Sequence, residues 1–151
     1  MALPTSATPF LNQALIQILG QSAGIKGQAT DALATLQAGP VSTQWAFNLI
    51  DILTDGIGRL DRFKTVNGLD AYATAQVPGY AGTMTTDIAA TRAALVDCRD
   101  WVVANFPKDS TNTWLLAYQM AADGTRTMRT FSTAQTAGLQ TKLQALIATV
   151  A

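Results

Sequence analysis

Apolar residues recur at alternating spacings of four and three along most of this chain, and this pattern constrains its fold most strongly. The longest series runs from Leu11 to Leu36 and ends at Gly39 and Pro40. Such spacing places the apolar side chains on one side of an α-helix. A helix with one apolar stripe has to bury that stripe against another element, so the pattern predicts a bundle of helices.

Three more segments show helical spacing, and two of them follow residues that typically cap helices. Ser42 precedes one, and Ser132 precedes another with Gln135 three residues later, which is the pattern of a capping box. The helix after Ser42 has a broad apolar face, which is typical of contact with more than one neighbour. The predicted helices are residues 9–38, 42–66, 84–106 and 133–150, with a short helix over residues 69–75.

Before the last helix the apolar period changes from helical to two. Apolar and other side chains alternate over residues 114–120, Asp123 and Gly124 form a turn signal, and a returning strand is predicted over residues 126–131. The sequence therefore predicts a β-hairpin over residues 114–131.

Together these elements predict a mainly α fold, a four-helix bundle-like domain with one β-hairpin inserted before the C-terminal helix. The chain has 151 residues, which is a suitable length for one continuous core. Because the sequence contains no internal repeat or linker-like stretch, residues 1–151 are assigned to a single domain.

Composition excludes several classes of function. The ten acidic residues are all Asp, they are balanced by ten Lys and Arg residues, and there is no His. Without His, catalysis by a Ser-His-Asp or Cys-His arrangement is excluded. A net charge of zero argues against nucleic-acid and membrane-surface binding, which need a basic excess. We therefore predict no enzyme activity, no cofactor, no metal site, no sequence-specific nucleic-acid binding and no membrane association.

The first helix contains a pattern that resembles a catalytic motif. Residues 20–24 read Gly-x-Ser-x-Gly, which in hydrolases places a nucleophilic serine on a turn between a strand and a helix. Here the pattern lies within a helical series, and only a Ser22–Lys26 pair could replace the missing histidine. We therefore interpret Gly20, Gly24 and Gly27 as positions of close helix–helix approach, or of a break near Gly24.

Three other side-chain groups have simple structural explanations. Asp51 with Asp55, and Asp97 with Asp100, place paired carboxylates on single helices, where exposed ion pairs are the expected arrangement. Cys98 lies on the apolar side of its helix and is the only cysteine, so we expect a buried, unreactive thiol.

The predicted hairpin is the candidate contact surface. Two strands alone are marginally stable in water, so its apolar face has to be covered by the four helices or by a neighbouring chain. The sequence leaves both arrangements open, although aromatic residues beside arginines are typical of interface anchors. The candidate interface residues are Trp114, Leu116, Tyr118, Met120, Arg126, Met128, Arg129, Phe131 and, in the loop before the third long helix, Tyr80.

Three segments have distinctive sequences: GLDAYATAQ at residues 68–76, WVVANFPKD at residues 101–109 and FSTAQTAGL at residues 131–139. With them, roughly residues 40–151 resemble small helical structural proteins encoded by tailed bacteriophages. The resemblance implies a virion component of the head–tail or tail region. It brings no catalytic or ligand-binding residue with it.

These observations predict a non-enzymatic assembly protein of a tailed-phage particle, with a ring-forming head–tail connector at the neck or tail adaptor as the leading hypothesis. It would be made in the host bacterial cytoplasm and reside in the virion. Its partners would be portal, tail or capsid subunits and copies of itself, because rings use heterologous contacts between copies. Two alternatives stay open: a capsid cement or tail-fibre attachment protein, and a cytoplasmic assembly chaperone or binding module.

Overall fold

The computed structural model describes residues 7–63, 66–105 and 118–150. These residues are mainly helical, with a two-stranded antiparallel hairpin before the last helix, as the sequence predicts. In chain order the elements are α1 (Ala7–Ala38), α2 (Thr43–Asp61), α3 (Leu69–Gln76), α4 (Met84–Asn105), β1 (Tyr118–Met120), β2 (Arg126–Met128) and α5 (Thr133–Val150).

The boundaries differ from the predicted ones mainly at the ends of elements. The helix predicted to reach residue 66 ends at Asp61. The strands are three residues each, shorter than predicted, and the first part of the predicted hairpin, residues 114–117, lies outside the described residues.

Four long helices form the body of the molecule, each packed against two neighbours. α1 contacts α2 and α5, and α4 contacts the same two helices, so the four enclose a common core. The short α3 packs against α4 and α1. The largest fully buried apolar side chains come from every long helix and from α3: Leu11, Ile18, Leu60, Leu69, Leu95, Leu139, Leu143, Leu146 and Val102.

The broad apolar face of α2 contacts two helices, as predicted. Gly56 lies where α1, α2 and α4 meet: a Cβ there would be 3.4 Å from Leu95 Cδ1 and 3.7 Å from Ile25 Cγ1. α2 begins as predicted, because Ser42 Oγ accepts a hydrogen bond from the Trp45 backbone N–H at 3.1 Å. This cap fixes the start of α2, which is also where the hairpin is attached.

The interpretation of the three α1 glycines is wrong. α1 is one continuous helix through Gly24, and a Cβ on Gly20, Gly24 or Gly27 would meet nothing within 4 Å. These glycines therefore face open space. The close approach is at Gly138 in α5, where a Cβ would be 2.5 Å from Trp101 Cζ2 of α4.

The last helix begins with the capping box that the sequence predicts. The Gln135 N–H donates to Ser132 Oγ at 3.1 Å, while the Ser132 N–H donates to Gln135 Oε1 at 2.9 Å. The amide group of Gln135 also donates to the carbonyl of Asn105 at 3.1 Å. The start of α5 is therefore tied to the end of α4.

Candidate functional site

The hairpin carries an apolar face that follows from its register. Tyr118 pairs with Met128 and Met120 pairs with Arg126. Directly paired residues in an antiparallel sheet point to the same side, and so do residues two apart along a strand. Tyr118, Met120, Arg126 and Met128 therefore share one face, which we call the hairpin face.

The turn that closes the hairpin uses the Asp-Gly signal. The Ala121 N–H donates to the Thr125 carbonyl at 2.9 Å, and Gly124 takes a positive φ of 85° that a residue with a side chain rarely adopts. Asp123 Oδ1 accepts the Thr125 N–H at 2.9 Å. Hydrogen bonds from Thr125 lower the pKa of Asp123, so the carboxylate that stabilises this turn stays ionised at neutral pH.

The hairpin face is exposed to solvent. Tyr118, Met120 and Met128 are 48%, 65% and 41% exposed, respectively. Within the described part of the chain, each strand contacts the other strand and neither packs against a helix. The sequence leaves open whether the four helices or a neighbouring chain covers this face. The described helices do not cover it.

Arg126 lies over the aromatic ring of Tyr118 on the hairpin face. Its Cζ atom is 4.7 Å from the ring centroid, which is within the range of a cation–π interaction. This contact holds the guanidinium close to the exposed apolar side chains. The hairpin face therefore combines apolar area with one positive charge.

The base of the hairpin is attached to the start of α2. The Thr43 N–H donates to the Arg129 carbonyl at 3.2 Å, and Ser42 forms an isolated β-bridge with Thr130. Phe131, one residue further, is 7% exposed and belongs to the core of the bundle. The hairpin is thus anchored at its base while its strands project from the body.

The structure places the described members of the predicted interface in four environments. Tyr118, Met120, Arg126 and Met128 share the exposed face, whereas Trp114 and Leu116 lie outside the described residues. Phe131 requires a correction, because its ring packs inside its own chain and is not available to a partner. Arg129 is half-buried at the hairpin base, with its carbonyl bonded to Thr43.

Tyr80 lies in a separate cleft. The cleft has a volume of about 390 Å³ between α1, α4 and α5, and Ser22, Asp87 and Thr149 also line it. The Tyr80 hydroxyl donates a hydrogen bond to Asp87 Oδ2. Burial raises the pKa of Tyr80, and the hydrogen bond to the Asp87 carboxylate raises it further, so the phenol keeps its proton. No hairpin residue lines this cleft in the described structure.

Two of the carboxylates that were considered as possible site residues lie in ion pairs, and the thiol lies in the core. Asp55 pairs with Arg59 at 2.7 Å and Asp97 with Lys142 at 2.8 Å. Burial raises the pKa of the Cys98 thiol to about 12, so it is protonated at neutral pH. No group of three His, Cys, Asp or Glu side chains is placed to hold a metal ion in the described part of the chain.

Three exposed apolar side chains on α1 are not among the predicted interface residues. Phe10, Ile16 and Leu19 are 59%, 61% and 46% exposed. All three lie outside the four-three series from Leu11 to Leu36, on other sides of the same helix. The sequence signal that could have identified them is the presence of apolar residues outside the four-three series of α1.

None of the helices among residues 7–63, 66–105 and 118–150 has the combined length and apolarity needed to cross a bilayer. No protein-family model, no curated protein and no solved structure matches this chain.

Proposed function

We propose that this chain is a non-enzymatic assembly protein of a tailed-phage particle, a ring-forming component of the head–tail connector at the neck or tail adaptor. The observation that supports a contact function most directly is the exposed hairpin face. The assignment to a phage particle is supported by the resemblance of residues 40–151 to tailed-phage structural proteins.

The hairpin face suits a protein contact because its apolar area is concentrated on a projecting element. Two methionines adapt their shape to a partner surface, and Tyr118 with Arg126 provides an aromatic and cationic anchor. Burial of one such side chain stabilises a contact by about 1.5–3 kcal/mol. Loss of translational and rotational freedom offsets much of this gain.

A ring strengthens such small contacts through repetition. Each copy in a closed ring makes two contacts with its neighbours, and attachment to a larger partner holds many copies at high local concentration. We therefore propose that the partners are portal, tail or capsid subunits together with other copies of this chain. Synthesis in the bacterial cytoplasm would precede incorporation into the virion.

Analysis of purified particles tests the proposed function. Virions of the phage that encodes this chain would be purified on a density gradient, denatured and analysed by mass spectrometry. We expect this polypeptide in a fixed ratio to the portal subunit, and gold-labelled antibody at the neck. Its presence in infected cells but absence from particles would contradict the proposal and favour an assembly chaperone. Label over the capsid would instead identify a cement protein.

A further inference from the structure

A groove between α1 and α2 offers a second exposed apolar surface. It has a volume of about 340 Å³ and includes Ala32 of α1 with Trp45, Leu49 and Ile52 of α2 among its lining residues. Leu49 is buried, Ala32 and Trp45 are half-buried, and Ile52 is 40% exposed. A side chain from outside could therefore contact apolar atoms from both helices in this groove.

One carboxylate lines the same groove. Asp31 is exposed on α1, and its side chain makes no ion pair with any described residue. An unpaired carboxylate beside apolar side chains favours a ligand that places a positive charge next to an apolar group. A methionine beside a lysine or an arginine provides both the apolar group and the positive charge.

The hairpin face has that combination. Met120 and Arg126 are directly opposite each other across the two strands, so the most exposed apolar side chain of the hairpin stands beside a guanidinium. Met120 is unbranched and fills irregular spaces readily. If Met120 enters the groove, Arg126 is positioned for the Asp31 carboxylate at its edge.

We propose that the groove between α1 and α2 receives the hairpin face of a second copy of this chain, with Met120 among Trp45, Leu49 and Ile52. In this contact Arg126 pairs with Asp31. The proposal rests on the function proposed above and names the partner of the hairpin face.

Two observations favour a second copy as the occupant. The charges on the two surfaces are opposite, while the whole chain has a net charge of zero, so copies do not repel one another overall. Among the described residues of one chain the strands pack against no helix, so the groove and the hairpin face are both exposed there. Because they are different patches, repetition of the contact in one direction from copy to copy builds a ring or a filament.

Disulfide trapping tests the proposed contact. An Ile52→Cys variant and a separately tagged Met120→Cys variant would be mixed under mild oxidation, and the mixed disulfide measured on a non-reducing gel. The native Cys98 is fully buried and does not compete. The matched control is Gln119→Cys, which lies on the opposite side of the hairpin. We expect a mixed-disulfide yield for Met120→Cys about fivefold above the control or more. Equal yields from the two hairpin positions would overturn the proposal.

Charge reversal separates contacts between chains from contacts within one chain. Arg126→Asp and Asp31→Arg would each be introduced into the trapping pair. When both members carry the same reversal, like charges face each other and we expect the yield to fall about fivefold. A mixture of one Arg126→Asp chain with one Asp31→Arg chain, each bearing the appropriate cysteine, pairs opposite charges again and should restore the yield.

The control for charge alone is Asp51→Arg, because Asp51 is exposed on α2 and does not line the groove. Asp51→Arg should leave the yield unchanged. No recovery in the mixed reversals, or an equal effect of Asp51→Arg, would overturn the proposed pairing. If the chain is present in virions but the trap fails, the function stands and this contact does not. If the mixed disulfide forms but virions lack the chain, this contact stands and the proposed function does not.

Discussion

Large apolar side chains are buried in the bundle core but exposed on the hairpin. Leu139 and Leu143 of α5 are fully buried, whereas Met120 and Tyr118 of the hairpin are about half exposed or more. Burial of apolar area stabilises the folded state, so the core side chains contribute to stability and the hairpin side chains contribute little. This difference is why we propose that the hairpin face is used in contacts outside the fold.

The largest expected contrast is between truncations in these two regions. Leu143→Ala should lower the free energy of unfolding by about 2–5 kcal/mol, because it leaves a cavity in the core. Met120→Ala should change it by less than about 0.5 kcal/mol, because its side chain is exposed. Urea unfolding followed by circular dichroism measures both. A loss above about 2 kcal/mol for Met120→Ala would break the comparison and indicate that the hairpin packs on its own bundle.

Two glycine substitutions compare a crowded position with an open one within the helices. Gly138→Ala should destabilise the protein by about 1–3 kcal/mol, because its Cβ would meet the Trp101 ring. Gly24→Ala should stabilise it by up to about 1 kcal/mol, because alanine favours the helix and nothing lies near the new methyl group. Thermal unfolding of the two variants provides the test. The same direction of change for both would contradict the packing described for α1 and α5.

The buried thiol predicts a smaller effect that depends on pH. Burial raises the pKa of Cys98 from its ordinary value of 9.0 to about 12, so the folded state keeps a proton that the unfolded chain releases. This contribution is fully present below pH 9 and is lost as pH rises toward 12. Between pH 8 and 10 the wild type should lose about 1 kcal/mol more than Cys98→Ala.

Unfolding by urea at pH 8, 9 and 10 measures this difference. Tyr80 is present in both proteins, so its own titration cancels when they are compared. Parallel pH dependence in the two proteins would show that the Cys98 thiol is not buried as described. A thiol placed in the hairpin by M120C should instead react freely with a thiol reagent at pH 8.

Much of the body could be predicted because local signals and tertiary packing agree there. The four-three series in α1 gives the buried side correctly at Leu11, Ile18 and Leu36, and the Ser132–Gln135 box marks the start of α5. Each of these signals depends on residues within one or two helical turns.

The remaining features depend on which elements become neighbours. Phe131 and Met120 belong to the two strands of the same predicted hairpin, yet one is buried in the core and the other is exposed. Among the described residues, the hairpin meets the bundle at its base. The space beside Gly24 and the crowding at Gly138 follow from the paths of other helices. The groove beside Ile52 has the same origin and leaves no local signal.

Competition for incorporation into particles tests the central claim most directly. Under the proposed phage function, cells infected with a phage whose copy of this gene is deleted would be supplied with equal amounts of two variants, Tyr118→Ser/Met120→Ser/Met128→Ser and the opposite-side control Gln119→Ala/Thr127→Ala. After matched thermal stability is established, quantitative mass spectrometry of purified virions gives their ratio. We predict that the control is incorporated and that the hairpin-face variant is depleted by about tenfold or more. Equal incorporation of the two variants would contradict the account.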